Sequence, residues 1–335
     1  MTRQALFEAG KRASAVLRDL EIKQELYDTG RLRIDPIQLA SQLDVIVVFK
    51  KLQKLLGAYV YTNKQAGILL NYDRPFGLVT MTCAHELGHY ALQHDSMLDT
   101  MVEYDSAASL QELQADAFAY ALLLPNWLLQ RVMGIEGITK RQLNRPELIY
   151  QLSLRFGLSY SAMVWLLFRK KILALKEARK LSSVQPKTIK STLKSRLHLE
   201  VHGNHSDIWI LTQGYQDYVI EPKVGDSVIV ELRSHPSAGM AWLHKDSKLA
   251  ISPILVPPQR NQFSQSSEFA GSYIIPHRVD GIDNFIGKRP AKIQLIERRE
   301  FVKDNSIYQE FSVGAQTHVM EKGLSAYERR SRLSE

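Results

Sequence analysis

The stretch Thr82-Cys83-Ala84-His85-Glu86-Leu87-Gly88-His89-Tyr90 decides how the chain is read. His85 and His89 stand four residues apart. On an α-helix that spacing turns the second side chain by about 400° and advances it by about 6 Å, so both imidazoles leave one face. Two nitrogens so placed can hold one tetrahedral zinc ion and leave positions for a third ligand and a water. Glu86 lies about a third of a turn away, placed to take a proton from that water rather than to ligate from the same face. A His-Glu-x-x-His helix is the pattern of a metal-dependent peptidase; the plainer alternative is a pair of exposed histidines on a structural helix.

The flanking sequence builds a frame for that helix. Leu6, Ala9, Ala13, Val16, Leu17 and Leu20 recur at helical spacing, which predicts helix over residues 3–30. Asp35-Pro36 opens a short helix through Leu43, with the aspartate as N-cap and proline at the first position. Val45 to Phe49, Ala58 to Tyr61 and Gly67 to Asn71 are β-rich runs, and Asn63-Lys64-Gln65 makes a turn between the last two. These predict a small antiparallel sheet. Pro75 starts the histidine helix, which should run to about His94, and a second helix from Ser109 through Leu124 stops at Pro125. Leu110, Leu113, Ala117, Leu122 and Leu124 predict its buried face.

A third ligand has two main candidates. Asp95 sits six residues after His89, but the chain-reversing glycine expected three residues after the second histidine is replaced by Leu92. Glu112 opens the second helix, and because Ser109 lies three residues before it, a capping box explains it as well as ligation does.

The segment from about Ile34 to Pro125 resembles the ImmA/IrrE family of bacterial and phage metallopeptidases. The matching features are the aliphatic strand Ile68-Leu69-Leu70-Asn71, then Ala84-His85-Glu86-Leu87-Gly88-His89, then Glu112-x-x-Ala115-x-x-Phe118-Ala119-x-x-Leu122-Leu123-Leu124-Pro125. The resemblance implies that His85, His89 and Glu112 bind the metal and that Glu86 is the catalytic base. It implies a zincin-like fold and a specific protein substrate, often a helix-turn-helix repressor cleaved in a stress or mobile-element (phage) response. The ion is expected to be Zn2+, with Mn2+ compatible with two histidines and a carboxylate. Cys83 departs from the aliphatic residue common at its position and reads as a small buried hydrophobe.

Leu148-x-x-Gln151-Leu152-x-x-x-Phe156-Gly157-Leu158-Ser159-x-x-Ala162-x-x-Trp165-Leu166 reads as helix, glycine turn, helix. A DNA-reading helix-turn-helix is one interpretation, yet Tyr160 to Phe168 carries no basic side chain, so packing is expected. From Arg169 to Arg196 there are ten Lys/Arg and one acid, Glu177, a local charge of +9; the whole chain is +8, so the remainder is near −1. This stretch reads as a solvated tether, or as a surface for an acidic partner or nucleic acid held non-specifically.

From Leu197 short β-rich runs separated by turns predict a small β-sandwich. Val224 to Leu232 followed by His235-Pro236-Ser237-Ala238-Gly239-Met240-Ala241-Trp242, with Arg298-Arg299-Glu300-Phe301 further on, is similar to the chagasin-like inhibitors of papain-type cysteine peptidases. Pro236, Gly239 and Trp242 keep turn and core positions, while the loop tips depart from the inhibitor pattern, so an immunoglobulin-like fold is expected without inhibition. Charged residues from about Lys322 are expected to fray.

Composition fits this plan. The chain has 335 residues, 45% hydrophobic and 23% charged, enough for two or three domains with true cores. It has no apolar run long enough to cross a membrane, no signal-like N-terminus and one cysteine, which together predict a cytoplasmic protein. The expected class is α+β: residues 1–135 a zincin-like metallopeptidase domain, 136–180 a helical unit, 181–198 a basic linker and 199–335 a chagasin-like β-sandwich. The expected function is a zinc-dependent endopeptidase acting on a DNA-binding repressor. The alternative is a regulatory or inhibitor-type binding protein with a structural metal, closed for instance by Asp95 or Glu103.

Overall fold

The computed structural model describes residues 2–94, 109–199, 206–245, 249–254, 273–285, 290–299, 306–317 and 320–334. Asp95, Glu103, Glu300 and Phe301 lie outside the described residues.

Helix α1 (Thr2–Asp19) is followed by α2 (Ile22–Asp28). The expected continuous helix is broken at Glu21, whose φ of 51° is left-handed. The apolar positions at helical spacing do their predicted work, since Ala9, Ala13, Val16 and Leu17 are buried. In α3 (Pro36–Gln42), Asp35 caps as expected, its carboxylate accepting from Ile37 N at 3.0 Å.

Strands β1 (Val45–Lys50), β2 (Gly57–Thr62) and β3 (Gln65–Asn71) form the small sheet. It is mixed rather than antiparallel throughout. β2 and β3 make a hairpin with Asn63 and Lys64 at positive φ, but β3 folds in between its neighbours and runs parallel to β1. Both edges of β3 therefore find pairing partners, and β2 is left as the outer strand. Against β2 and β3 packs α4 (Phe76–Ala91), and α5 (Leu110–Leu123) packs in turn against α4 and α1. The face that α5 buries is Ala115, Phe118, Ala119, Leu122 and Leu123, whereas Leu110 and Leu113 are exposed. The first turn of α5 is rotated so that Glu112, not the leucines, faces α4.

Helices α6 (Asn126–Glu136), α7 (Pro146–Arg155) and α8 (Tyr160–Arg169) follow. Gly157 makes the expected turn with φ 63°, and Ser159 caps α8. Tyr160, Met163, Val164, Leu166 and Leu167 of α8 are buried, so the helix that might have read DNA is packed into the protein. Two more helices, α9 (Leu175–Ser182) and α10 (Pro186–Arg196), occupy the basic stretch. Residues 186–196 are thus a packed helix rather than a tether: Ile189 and Leu193 are buried and Lys190 is bound to Asp207 at 2.9 Å.

The β-rich unit contains β4 (Ile208–Leu211), β5 (Val219–Ile220), β6 (Ser227–Ser234), β7 (Met240–His244), β8 (Ala250–Pro253), β9 (Tyr273–Asp280), β10 (Ala291–Arg299) and β11 (Gln309–Ala315). They form two four-stranded sheets, β5-β11-β10-β7 and β4-β6-β9-β8. Alternate residues of β10 and β11 (Ile293, Leu295, Phe311 and Val313) are buried, as a sandwich requires. Trp242 is buried and Gly239 closes its loop at φ 69°, both as expected.

The last segment does not fray. β12 (Gly323–Leu324) pairs with β1, giving the first sheet the order β12-β1-β3-β2. α11 (Ala326–Ser334) packs near α3, with Tyr327 OH donating to Asp35 at 2.9 Å. Among the described residues no helix is long and apolar enough to cross a membrane.

The β-rich unit is fastened to the helices by polar groups. Gly30 O accepts from Val219 N at 2.9 Å, and a Cβ on Gly30 would stand 2.8 Å from Asp217 O, so only glycine permits this approach. Arg31 and Arg33 each meet Glu221 at 2.9 Å. The side-chain amide of Gln151 donates to Ile208 O at 2.8 Å and accepts from Ile210 N at 3.0 Å. It therefore pairs with the outer strand β4 much as a neighbouring strand would, blunting an otherwise open edge.

Candidate metal centre

The centre is assembled by a close helix crossing. A Cβ on Gly88 would lie 3.1 Å from Ala115 Cα and O and 3.2 Å from the Phe118 ring, so the absence of a side chain lets α5 press against α4. That contact brings Glu112 to the histidine face. His85 Nε2 lies 3.1 Å from His89 Nε2 and 3.1 Å from Glu112 Oε2, and His89 Nε2 lies 3.4 Å from Glu112 Oε1. A tetrahedral ion with bonds near 2.0–2.1 Å has ligand–ligand edges of about 3.3–3.4 Å, so three donors already at nearly that spacing fit one ion. Among the described residues His85, His89 and Glu112 form the group able to hold a metal.

Glu86 is not part of that group. Its Oε2 accepts from the backbone N–H of Tyr59 on β2 at 2.8 Å, which fixes the carboxylate between the sheet and the histidines. The position of Glu112 is compatible with both readings of its sequence. Its backbone N–H donates to Ser109 Oγ at 3.3 Å, the capping half, while its carboxylate turns to the histidines. Cys83 is fully buried, and burial pushes its thiol well up, as suits a packing residue.

Three contributors escaped the sequence reading. Asp116 Oδ1 stands 3.0 Å from His85 Nδ1, so the ring can donate there and present Nε2 as an acceptor toward the centre. Asp116 is four residues after Glu112, the same helical spacing that pairs His85 with His89, and that interval was the available signal. His94 Nδ1 lies 3.0 Å from His89 Nδ1. The Tyr59 N–H has no sequence signal, because it depends on β2 lying over α4.

Electrostatics reflect three donors facing one point. Burial lowers the His85 pKa, but its hydrogen bonds to Asp116 and Glu112 outweigh this and push it up to about 10. Burial and then the charge of His85 bring His89 down to about 4. The metal-free pair thus shares one proton. Glu112 is held below the usual carboxylate range, first by its hydrogen bond to His85. Burial raises Glu86, against the opposing pull of His85 and the Tyr59 N–H.

Comparison with known proteins agrees with this geometry. Residues 40–164 match the family described as Peptidase M78, the IrrE N-terminal-like domain. An uncharacterized immunity region protein 2 of Bacillus phage phi105 is 30% identical over 104 residues, 30% of this chain; the chain spans 66% of the length of that relative. Two solved structures are similar to about a third of the chain. The cysteine protease inhibitor EhICP2 from Entamoeba histolytica has 18% identity, with 34% of this chain and 99% of that chain covered at a TM-score of 0.26. Amebosin has 15% identity, with 33% and 97% covered at a TM-score of 0.25. The matched residues 40–164 contain His85, Glu86, His89 and Glu112, so the part of the chain that is similar to the IrrE N-terminal-like domain is the part that builds the candidate centre.

Proposed function

We propose that the chain is a metal-dependent endopeptidase that cleaves a specific intracellular protein, a DNA-binding repressor of the helix-turn-helix kind, in a phage or stress response. The observation that carries this reading is the meeting of His85, His89 and Glu112 at 3.1–3.4 Å with Glu86 beside them but outside the ligand set. A purely structural metal has no use for a carboxylate in that place. The phage immunity-region relative supports the regulatory context.

His85, His89 and Glu112 would hold Zn2+ or Mn2+; when bound, such an ion supplies a Lewis acid that polarises a carbonyl and makes a nearby water acidic. Asp116 and His94 orient the two imidazoles through their Nδ1 atoms. Glu86 receives a proton at its carboxylate and returns it to the leaving amine. Its raised pKa suits both directions of that transfer, and the Tyr59 N–H keeps one oxygen fixed while the other works. The exposed cations Arg179, Lys180 and Lys187 form a surface for an acidic partner, nucleic acid included.

Co-expression with the repressors encoded beside its gene tests the reading. His85→Ala, His89→Ala and Glu112→Ala should each lose stoichiometric metal. Glu86→Gln should keep the metal and lose about 10²–10⁴-fold in cleavage. Full cleavage by Glu86→Gln would remove the peptidase assignment.

A further inference from the structure

At the C-terminal end of α4 lies a cavity of about 390 Å³, walled by Tyr59, Tyr61, Tyr90, Arg12, Gln93 and His94. It adjoins the metal centre directly. The backbone N–H of Tyr59 holds Glu86, and the ring of His94 touches that of His89. β2 is the outer strand of its sheet. A peptide laid along it would turn alternate side chains toward α4, and so into this cavity.

The walls are set in advance. Tyr59 and Tyr90 meet edge to face with centroids 6.2 Å apart, and Tyr90 OH donates to Leu43 O at 3.2 Å. Gln93 takes a left-handed φ of 56°, and its N–H and that of His94 close the helix on Tyr90 O and His89 O. Arg12 reaches in from α1 and donates through Nε to Ala91 O at 3.1 Å. That single bond anchors the guanidinium and leaves both Nη groups without a partner among the described residues. Among the described residues that line it, Arg12 supplies a cationic donor, Gln93 and the tyrosines add uncharged polar groups, and none carries a carboxylate.

We propose that this cavity is a specificity subsite that takes an acidic side chain, above all glutamate, within two residues of the bond cut. The proposal rests on the peptidase reading of the centre. A lysine there would meet the charge of Arg12. An aliphatic side chain would cover the guanidinium and offer it no acceptor, at the cost of desolvating a charge. A glutamate lays its methylenes on the tyrosine faces and gives Arg12 a charge-assisted hydrogen bond. The volume admits that side chain together with water.

The test is cleavage of a proteome-derived peptide library by the full chain loaded with Zn2+ or Mn2+, with cut sites read by mass spectrometry. The wild type should enrich Glu and Asp by about tenfold at one position within two residues of the cut. Arg12→Glu should move that preference to Lys and Arg at the same position, and Arg12→Ala should flatten it. An aromatic or aliphatic preference unchanged in all three proteins overturns the subsite. Failure of the peptidase reading looks different: no peptide is cut, or Glu86→Gln cuts as well as the wild type. In that event, binding of fluorescent Glu-containing and Lys-containing hexapeptides decides the cavity. Retention of the acidic peptide by wild type and its loss in Arg12→Glu support the subsite; equal binding of both peptides overturns it.

Discussion

The metal centre and the seam between the helices and the β-rich unit bury ionisable groups to opposite ends. At the seam five cations are paired with anions: Arg155 meets Glu136 at 3.2 Å, Arg31 and Arg33 share Glu221, and Lys190 and Lys223 share Asp207. Tyr215 joins Arg155 to Glu136 by hydrogen bonds to both. At the centre two histidines instead point their Nε2 atoms at each other with one carboxylate between them. The seam is charge-closed and holds parts together. The centre is an acceptor-rich point that only a cation completes. Burial alone therefore does not distinguish a site from a fastening; the balance of donors and acceptors does.

The strongest way to break that contrast is at the seam. Arg155→Met leaves Glu136 buried without its cation and removes the guanidinium from Gln151 and Ile210 O, so stability should fall by about 3–5 kcal/mol in urea unfolding. His85→Ala should abolish metal binding, whereas Arg155→Met should leave the metal stoichiometry of the folded protein unchanged. Equal loss of metal by the two would dissolve the distinction.

The centre is probed more gently through Asp116. Asp116→Ala removes the acceptor for His85 Nδ1 and should weaken metal binding about 10–100-fold in a chelator competition, with the three ligands still present. Unchanged affinity would reduce Asp116 to a surface acid.

Protons sharpen the same comparison. His85, raised from 6.5 to about 10, contributes stability to the metal-free chain in full below pH 6.5 and loses it as pH rises through about 10. At pH 7 the metal must therefore expel a proton, and calorimetry in buffers of different ionisation enthalpy should register release of close to one proton per ion. No release would mean that the histidine pair is already neutral.

The smallest effect is expected at the surface. Exchanging Arg179, Lys180 and Lys187 for glutamine should leave peptide cleavage within about twofold while removing salt-sensitive retention on DNA. A large loss of cleavage would tie this face to the reaction.

What the sequence made legible follows from range. His85, His89, Glu86 and the capping of α3 by Asp35 each depend on neighbours within about one helical turn, and all were readable. Glu112 needed the second motif, because local spacing explains capping and ligation equally well. The exposed Leu110 and Leu113 defeated a periodicity argument, since apolar spacing does not reveal which face a site has claimed. The parallel pairing of β1 with β3 and the partners of Arg33 and Arg155 depend on chain returns that leave no local pattern. They also alter the expected outcome of cutting the chain. Residues 1–180 alone would lack β12 and take from Tyr150, Gln151, Arg155 and Arg33 their partners in the β-rich unit, so the metal-binding part should be less stable than its own core suggests.

The pairing of β12 with β1 also orders events during synthesis. β1 leaves the ribosome early, but the strand that covers its outer edge, Gly323–Leu324, is translated only after the whole β-rich unit. At about 5–20 residues per second, that edge stays uncovered for tens of seconds while the strands between them are made. During that interval Val45–Lys50 is an exposed template for pairing with another nascent chain. Chaperone dependence should therefore track the time taken to translate the β-rich unit rather than the stability of the finished protein.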